Sequence, residues 1–130
     1  MRTCKVIRSG AEYTGRQGLT YLAGLTGATA GSTGVSMTLV VMPPGARAKT
    51  HLHHGIETAV YVVEGVAEMY FGDGLAEYLV ANAGDYVYVP AEMPHLVMNR
   101  SNAVCRAVVA HTAADDQAGI VMLPQLDARV

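Results

Sequence analysis

Apolar and polar residues alternate with a two-residue period in six short stretches of the chain. They are residues 34–42 (GVSMTLVVM), 57–63 (ETAVYVV), 66–71 (VAEMYF), 75–80 (LAEYLV), 86–89 (YVYV) and 103–110 (AVCRAVVA). Successive side chains of an extended chain point to opposite faces, so this period predicts half-buried strands rather than helices. Glycine tolerates the positive backbone dihedral of tight turns, and Glu64-Gly65 and Gly72-Asp73-Gly74 read as hairpin turns. Pro43-Pro44-Gly45, Asn82-Ala83-Gly84-Asp85 and Pro90 close other strands. Many short strands at close spacing predict an all-β sandwich or barrel. Residues 24–34, dense in Gly, Ser and Thr, read as a loop or flap. Residues 112–119 (TAADDQAG) read as a short terminal helix capped by Thr112. The last segment, IVMLPQLDARV, is apolar enough to pack on the barrel or on a second subunit.

Composition narrows the class. The 130 residues fit one domain, 1–130, and 51% apolar with 15% charged residues describe a chain with a core rather than a disordered one. Nine basic against eleven acidic residues, a net charge of -2 and no basic stripe argue against nucleic acid as a partner. No segment has the length and apolarity of a signal peptide or a membrane span, which leads to the expectation of a cytoplasmic protein with no membrane partner. Cys4 and Cys105 lack metal or redox spacing and read as reduced, buried, inert thiols.

The chemistry concentrates in histidine. In a strand His51 and His53 project from one face, a two-point clamp for a metal, and His95 follows in a second ordered segment. Glu57 adds a carboxylate just downstream. Arg47 and Lys49 share the parity of the two histidines. If they face inward they hold an anionic group of a substrate; otherwise they solvate the barrel mouth. The tyrosines of the strands read as packing residues, with Tyr61 grouped with Arg47 and Lys49 as a candidate substrate contact. Met93 and Met98 bracket His95 and suggest a soft apolar wall beside the site. His54 reads as an exposed loop residue, or else as a proton shuttle, and His111 as a surface histidine.

Two segments resemble the paired motifs of the cupin superfamily. The first reads Gly, five residues, His-x-His, three or four residues, Glu, six residues, Gly; Gly45, His51, His53, Glu57 and Gly65 follow that order. The second reads Gly, five residues, Pro-x-Gly, two residues, His, three residues, Asn; Gly84, Pro90, His95 and Asn99 fit it. The resemblance spans residues 45–99. It implies a jelly-roll β-barrel, frequently dimeric, and one divalent first-row metal per chain, Mn, Fe, Ni, Cu or Zn. By that resemblance the ligands are His51, His53, Glu57 and His95.

Two positions depart from the pattern. Glu92 stands where the second motif has glycine, which should alter the turn before His95. Seven residues rather than six separate Glu57 from Gly65, so counting back from the glycine puts Thr58 in the ligand's place. A one-residue slip turns a strand side chain to the opposite face. A β-bulge between Glu57 and Tyr61 would restore the aim of Glu57; without it the site is three histidines completed by Thr58 or water.

The barrel is shared by many chemistries, so fold alone does not fix the reaction. A small metal-dependent enzyme acting on a small organic substrate, anionic if Arg47 and Lys49 face inward, leads the expectations. A non-catalytic binding or sensor protein and a metal-free epimerase- or isomerase-like site are the alternatives. No helix-turn-helix pattern precedes the barrel, which leads to the expectation of a lone catalytic or sensory unit. A two-fold homodimer is expected.

Overall fold

The computed structural model describes residues 3–130, so the first two residues of the expected 1–130 domain lie outside the described residues. Eleven strands form two antiparallel sheets: β1 (Glu12–Thr14), β2 (Thr20–Leu25), β3 (Ser36–Met42), β4 (His51–His53), β5 (Thr58–Glu64), β6 (Val66–Phe71), β7 (Glu77–Asn82), β8 (Tyr86–Val89), β9 (His95–Met98), β10 (Cys105–His111) and β11 (Ile120–Met122). The six-stranded sheet runs β1-β2-β3-β10-β5-β8 and the five-stranded sheet β11-β4-β9-β6-β7. The chain passes repeatedly from one sheet to the other, which makes the molecule a jelly roll. All six strands anticipated from the two-residue period are present, shifted by at most two residues at their ends.

Three local expectations need correction. Residues 24–34 are not a plain loop: β2 ends inside them, and a one-turn helix, α1 (Gly27–Ala30), follows. Thr26 and Thr29 form a reciprocal capping box around that turn, satisfying its first backbone donors. Residues 112–119 form bends and turns, not a helix. Thr112 caps nothing helical, because its backbone N–H donates to Glu57 O at 3.1 Å and its hydroxyl accepts from Glu57 N at 3.0 Å. Glu64-Gly65 is a crossing between the sheets rather than a hairpin, since β5 and β6 belong to different sheets. Gly65 has φ 82°, and a Cβ there would sit 2.4 Å from the Val104 carbonyl oxygen. Gly72-Asp73-Gly74 is a true hairpin between β6 and β7, made through a 3-10 turn at Asp73–Leu75.

The main core lies between the sheets, with Leu19, Tyr21, Val40, Met42, Val62 and Ala107 among its members. A second cluster lies on the far face of β9, where Leu96 and Met98 meet Leu75 together with Leu126 of the closing 3-10 turn, Pro124–Arg129, and Val130 just after it. The last segment therefore packs on its own barrel. β9 is buried on both faces, which holds it in place at the centre of its sheet. Cys105 is buried, but Cys4 is exposed, contrary to its expected burial. No helix among the described residues is long and apolar enough to cross a membrane.

Candidate metal centre

His51 and His95 are register partners in the antiparallel pair β4–β9, and His53 follows two residues along β4 on the same face. Sheet register thus brings together side chains more than forty residues apart in sequence. All three are buried, and one ring nitrogen of each lies within 4.8 Å of the others. Ring centroids are separated by 4.4 Å (His51–His95), 5.2 Å (His51–His53) and 5.8 Å (His53–His95).

The second nitrogens decide what the cluster can do. Nδ1 of His51 lies 2.8 Å from Lys49 O, and Nδ1 of His95 lies 2.9 Å from Met93 O. A carbonyl only accepts, so each Nδ1 carries the proton and Nε2 keeps its lone pair. This is the outer support that fixes tautomer and ring orientation in metal-binding histidines. Nδ1 of His53 is buried without a well-formed hydrogen bond, compensated in part by the Ala118 backbone. Burial pushes His51 down to about 3, with the neighbouring His95 adding to the shift, and pushes His95 down to about 4; burial lowers His53 too. Converging neutral imidazoles with free lone pairs suit a borderline divalent ion. The residues present fit a metal.

Glu57 is not part of the cluster. Thr58, Val60 and Val62 line the interior, whereas Glu57 is exposed and its carboxylate accepts a hydrogen bond from the Tyr88 hydroxyl at 2.6 Å. The irregularity in β5 falls between Val62 and Glu64, opposite Arg106 and Ala107, downstream of Tyr61. It lies too late in the strand to turn Glu57 inward. Thr58 takes the inward position, and its hydroxyl lies 2.9 Å from Nδ1 of His111.

His111 is the residue that sequence reading misplaced. It is buried, not at the surface, and its ring centroid is 4.8 Å from that of His53. Burial, with His53 next, pushes it down to about 4. The signal was available: Cys105, Ala107 and Val109 share its parity along β10, and that parity faces the core. His54, by contrast, is exposed and pairs with Glu92.

Arg47, Lys49 and Tyr61 also stand away from the cavity wall. Residues 48–50 bond to three separate partners, Ala48 N to Val97 O, Lys49 N to Gln17 O and Thr50 N to an Asp127 carboxylate oxygen. Regular strand pairing begins only at His51, and the phase slips before it: Ala48 is buried while Arg47 and Lys49 are exposed. Arg47 instead donates to the Val130 carbonyl at 2.7 Å and to the Asp127 carbonyl, clamping the closing turn. Tyr61 lies on the outer face of the six-stranded sheet against Tyr86, with ring centroids 4.8 Å apart. Met98 packs on the far face of β9; Met42 and Met69 line the cavity in its place.

The altered turn before His95 keeps its shape. Glu92 adopts φ 67°, the conformation that the motif's glycine would allow. Its backbone N–H donates to His53 O at 3.0 Å, and its carboxylate accepts from Gly55 N at 2.7 Å and lies 3.0 Å from His54 Nδ1. These bonds tie the turn to the end of β4 and offset the strain. Asn99 is fully buried, with Nδ2 donating to Met42 O and Ala103 O, both at 2.8 Å, so it is a structural strut.

The imidazoles open onto a cavity of about 90 Å³ between the sheets. His51, His53, His95, His111, Thr58 and Gln17 supply its polar lining, apart from the Tyr21 hydroxyl, and Val, Leu, Met and Ala side chains supply the rest. Gln17, from the turn between β1 and β2, is buried with its Oε1 unpartnered. Nothing in the sequence pattern marks it.

The cupin domain family matches residues 38–111, from β3 to the end of β10. A search of curated proteins finds no match. Among solved structures, the chain is similar to the Bacillus subtilis oxalate decarboxylase described with Mn(II) centres, at 26% identity and a TM-score of 0.70, covering 89% of this chain and 30% of that one. An oxalate oxidase in complex with glycolate aligns with a TM-score of 0.71 at 24% identity, covering 88% of this chain and 60% of that one. A cupin-superfamily sugar phosphate isomerase from Silicibacter pomeroyi aligns at 0.64 and 24% identity, covering 84% and 75%. The last two likenesses speak to the fold alone. The chain spans about 30% of the length of the decarboxylase it matches.

Proposed function

The chain belongs to the cupin domain family, and on that premise we propose that it is a metal-dependent enzyme acting on a small organic molecule inside the barrel. One observation carries the reading: three buried imidazoles converge within 4.8 Å, two of them with Nδ1 anchored to backbone carbonyls, so that their free nitrogens are set toward one centre. His51, His53 and His95 are the ligands in this proposal. A divalent ion held there supplies a Lewis acid, or an electron path if it is Mn, Fe or Cu. Three protein ligands would leave such an ion able to take up a small molecule as well.

The rest of the work falls to the chain itself. The sheets bury the three imidazoles, and an environment poor in water strengthens every electrostatic contact in the cavity. Thr58 holds His111 by Nδ1 and leaves its other ring nitrogen to hydrogen-bond the bound molecule. The small cavity favours a small substrate, in keeping with the decarboxylase named for oxalate. The homodimer belongs to the proposal as well: Tyr61, Val63, Tyr86 and Tyr88 are exposed together on the outer face of the six-stranded sheet, and a second copy would cover them.

Elemental analysis of the purified chain tests the metal reading, with one first-row ion per chain expected. His51→Ala and His95→Ala should each lose it. A chain that stays free of metal after refolding with Mn, Fe, Ni, Cu and Zn in turn would sink the reading. Turnover of a loaded chain on a panel of small acids, followed by mass spectrometry and oxygen uptake, separates an enzyme from a binding protein.

A further inference from the structure

We infer that the ligand of this cavity is a small monocarboxylate, or a related oxygen-donor monoanion, with a short aliphatic chain. The inference rests on the metal reading above and adds to it the charge and shape of what binds.

Charge comes first. Metal-ligating imidazoles are neutral. Glu57, the residue that would have added a negative charge, has its carboxylate outside with Tyr88. Among the described residues no Asp or Glu lines the cavity, and the nearby buried Asp116 is engaged by the Tyr13 hydroxyl and stands outside the wall. A divalent ion here would therefore hold two positive charges with no carboxylate among its ligands or in the cavity wall, in a largely apolar interior where unpaired charge is costly. An anionic oxygen from the ligand offsets it.

A second negative group would find no cationic side chain to pair with. Among the described residues no Lys or Arg lines the cavity. Away from the histidines, Gln17, Thr58 and the Tyr21 hydroxyl, the walls are apolar and include Val60, Val62, Val87, Val97, Val109 and Met42, a surface that rewards hydrocarbon and penalises a bare carboxylate. At roughly 15 Å³ of such space for each water-sized atom, about 90 Å³ gives room for about six heavy atoms. Butyrate meets all three conditions.

The test is calorimetric titration of chain loaded with Zn(II), its metal content measured first, using acetate, butyrate, butyramide and succinate. Butyrate and butyramide differ in charge; butyrate and succinate differ in having methyl or carboxylate at the far end. Butyrate is expected to bind about fifteenfold tighter than acetate, at about fourfold per methylene. Butyramide and succinate should each bind at least about tenfold weaker than butyrate, because one lacks the compensating charge and the other buries an unpaired one. Val62→Ala, with metal content unchanged, should move the best fit to a longer acid such as hexanoate. A loaded chain that binds succinate or butyramide as tightly as butyrate, gains nothing from acetate to butyrate, or binds none of the four overturns this inference alone. A chain that takes up no metal overturns it together with the proposed function.

Discussion

Single side chains divide sharply into those that hold the centre and those that only neighbour it in sequence. Glu57 and Thr58 are adjacent, yet one faces solvent and the other the cavity, because a strand alternates. Glu57→Ala should leave metal stoichiometry and affinity unchanged in a metal titration, whereas Thr58→Val should free Nδ1 of His111 and alter ligand binding without removing the ion. Gln17 sets a different test. A buried acceptor without a partner costs about 1–3 kcal/mol, and Gln17 Oε1 is one. Gln17→Leu should therefore raise the denaturation midpoint of the metal-free chain while weakening binding of any ligand that the amide contacts. Equal loss in both measurements would assign Gln17 a purely structural part.

At the scale of the elements, the turn before β9 and the crossing at Gly65 set the geometry. Glu92 sits at a positive φ, and its carboxylate links Gly55 and His54 to the turn. Glu92→Ala keeps the strain and loses the bonds, whereas Glu92→Gly loses the bonds but relieves the strain. The alanine variant should show the lower urea midpoint of the two. Gly65→Ala would drive a Cβ to within 2.4 Å of the Val104 carbonyl at a positive φ. It should cost more than about 3 kcal/mol in chemical denaturation, as strain at a special backbone position adds to a steric clash. That crossing also shows where periodicity reading stops. The alternation located β5 and β6 and the glycine between them, but nothing local distinguishes a hairpin from a step between sheets.

The whole molecule carries four buried neutral histidines, and this ties its stability to pH. His51 is held near 3 and His95 and His111 near 4, against an ordinary value near 6.5, with burial the main cause in each. Below about pH 6.5 the unfolded chain takes up protons that the folded chain refuses. The stability of the metal-free chain should be intact above that pH and fall progressively as pH drops toward 4, which thermal melts from pH 7 to 4.5 would show. A flat profile would mean that the imidazoles are hydrated. At the same scale, light scattering at micromolar concentration should report a dimer. Tyr86→Lys, on a fully solvent-facing position of the outer sheet, should shift it to monomer without loss of metal.

Sequence alone determined the all-β class, six of the strands, the cupin resemblance and the three histidines that converge, because these follow from local alternation and from motif spacing. The rest required the tertiary structure, and the reason is phase. Which of two adjacent residues faces inward depends on where regular pairing begins and where a ladder slips. Those points are set by contacts distant in sequence, such as Lys49 with Gln17, Thr50 with Asp127, and Val62 to Glu64 with β10. They turned Glu57, Arg47, Lys49 and Tyr61 away from the cavity and brought Thr58, His111 and Gln17 to its wall.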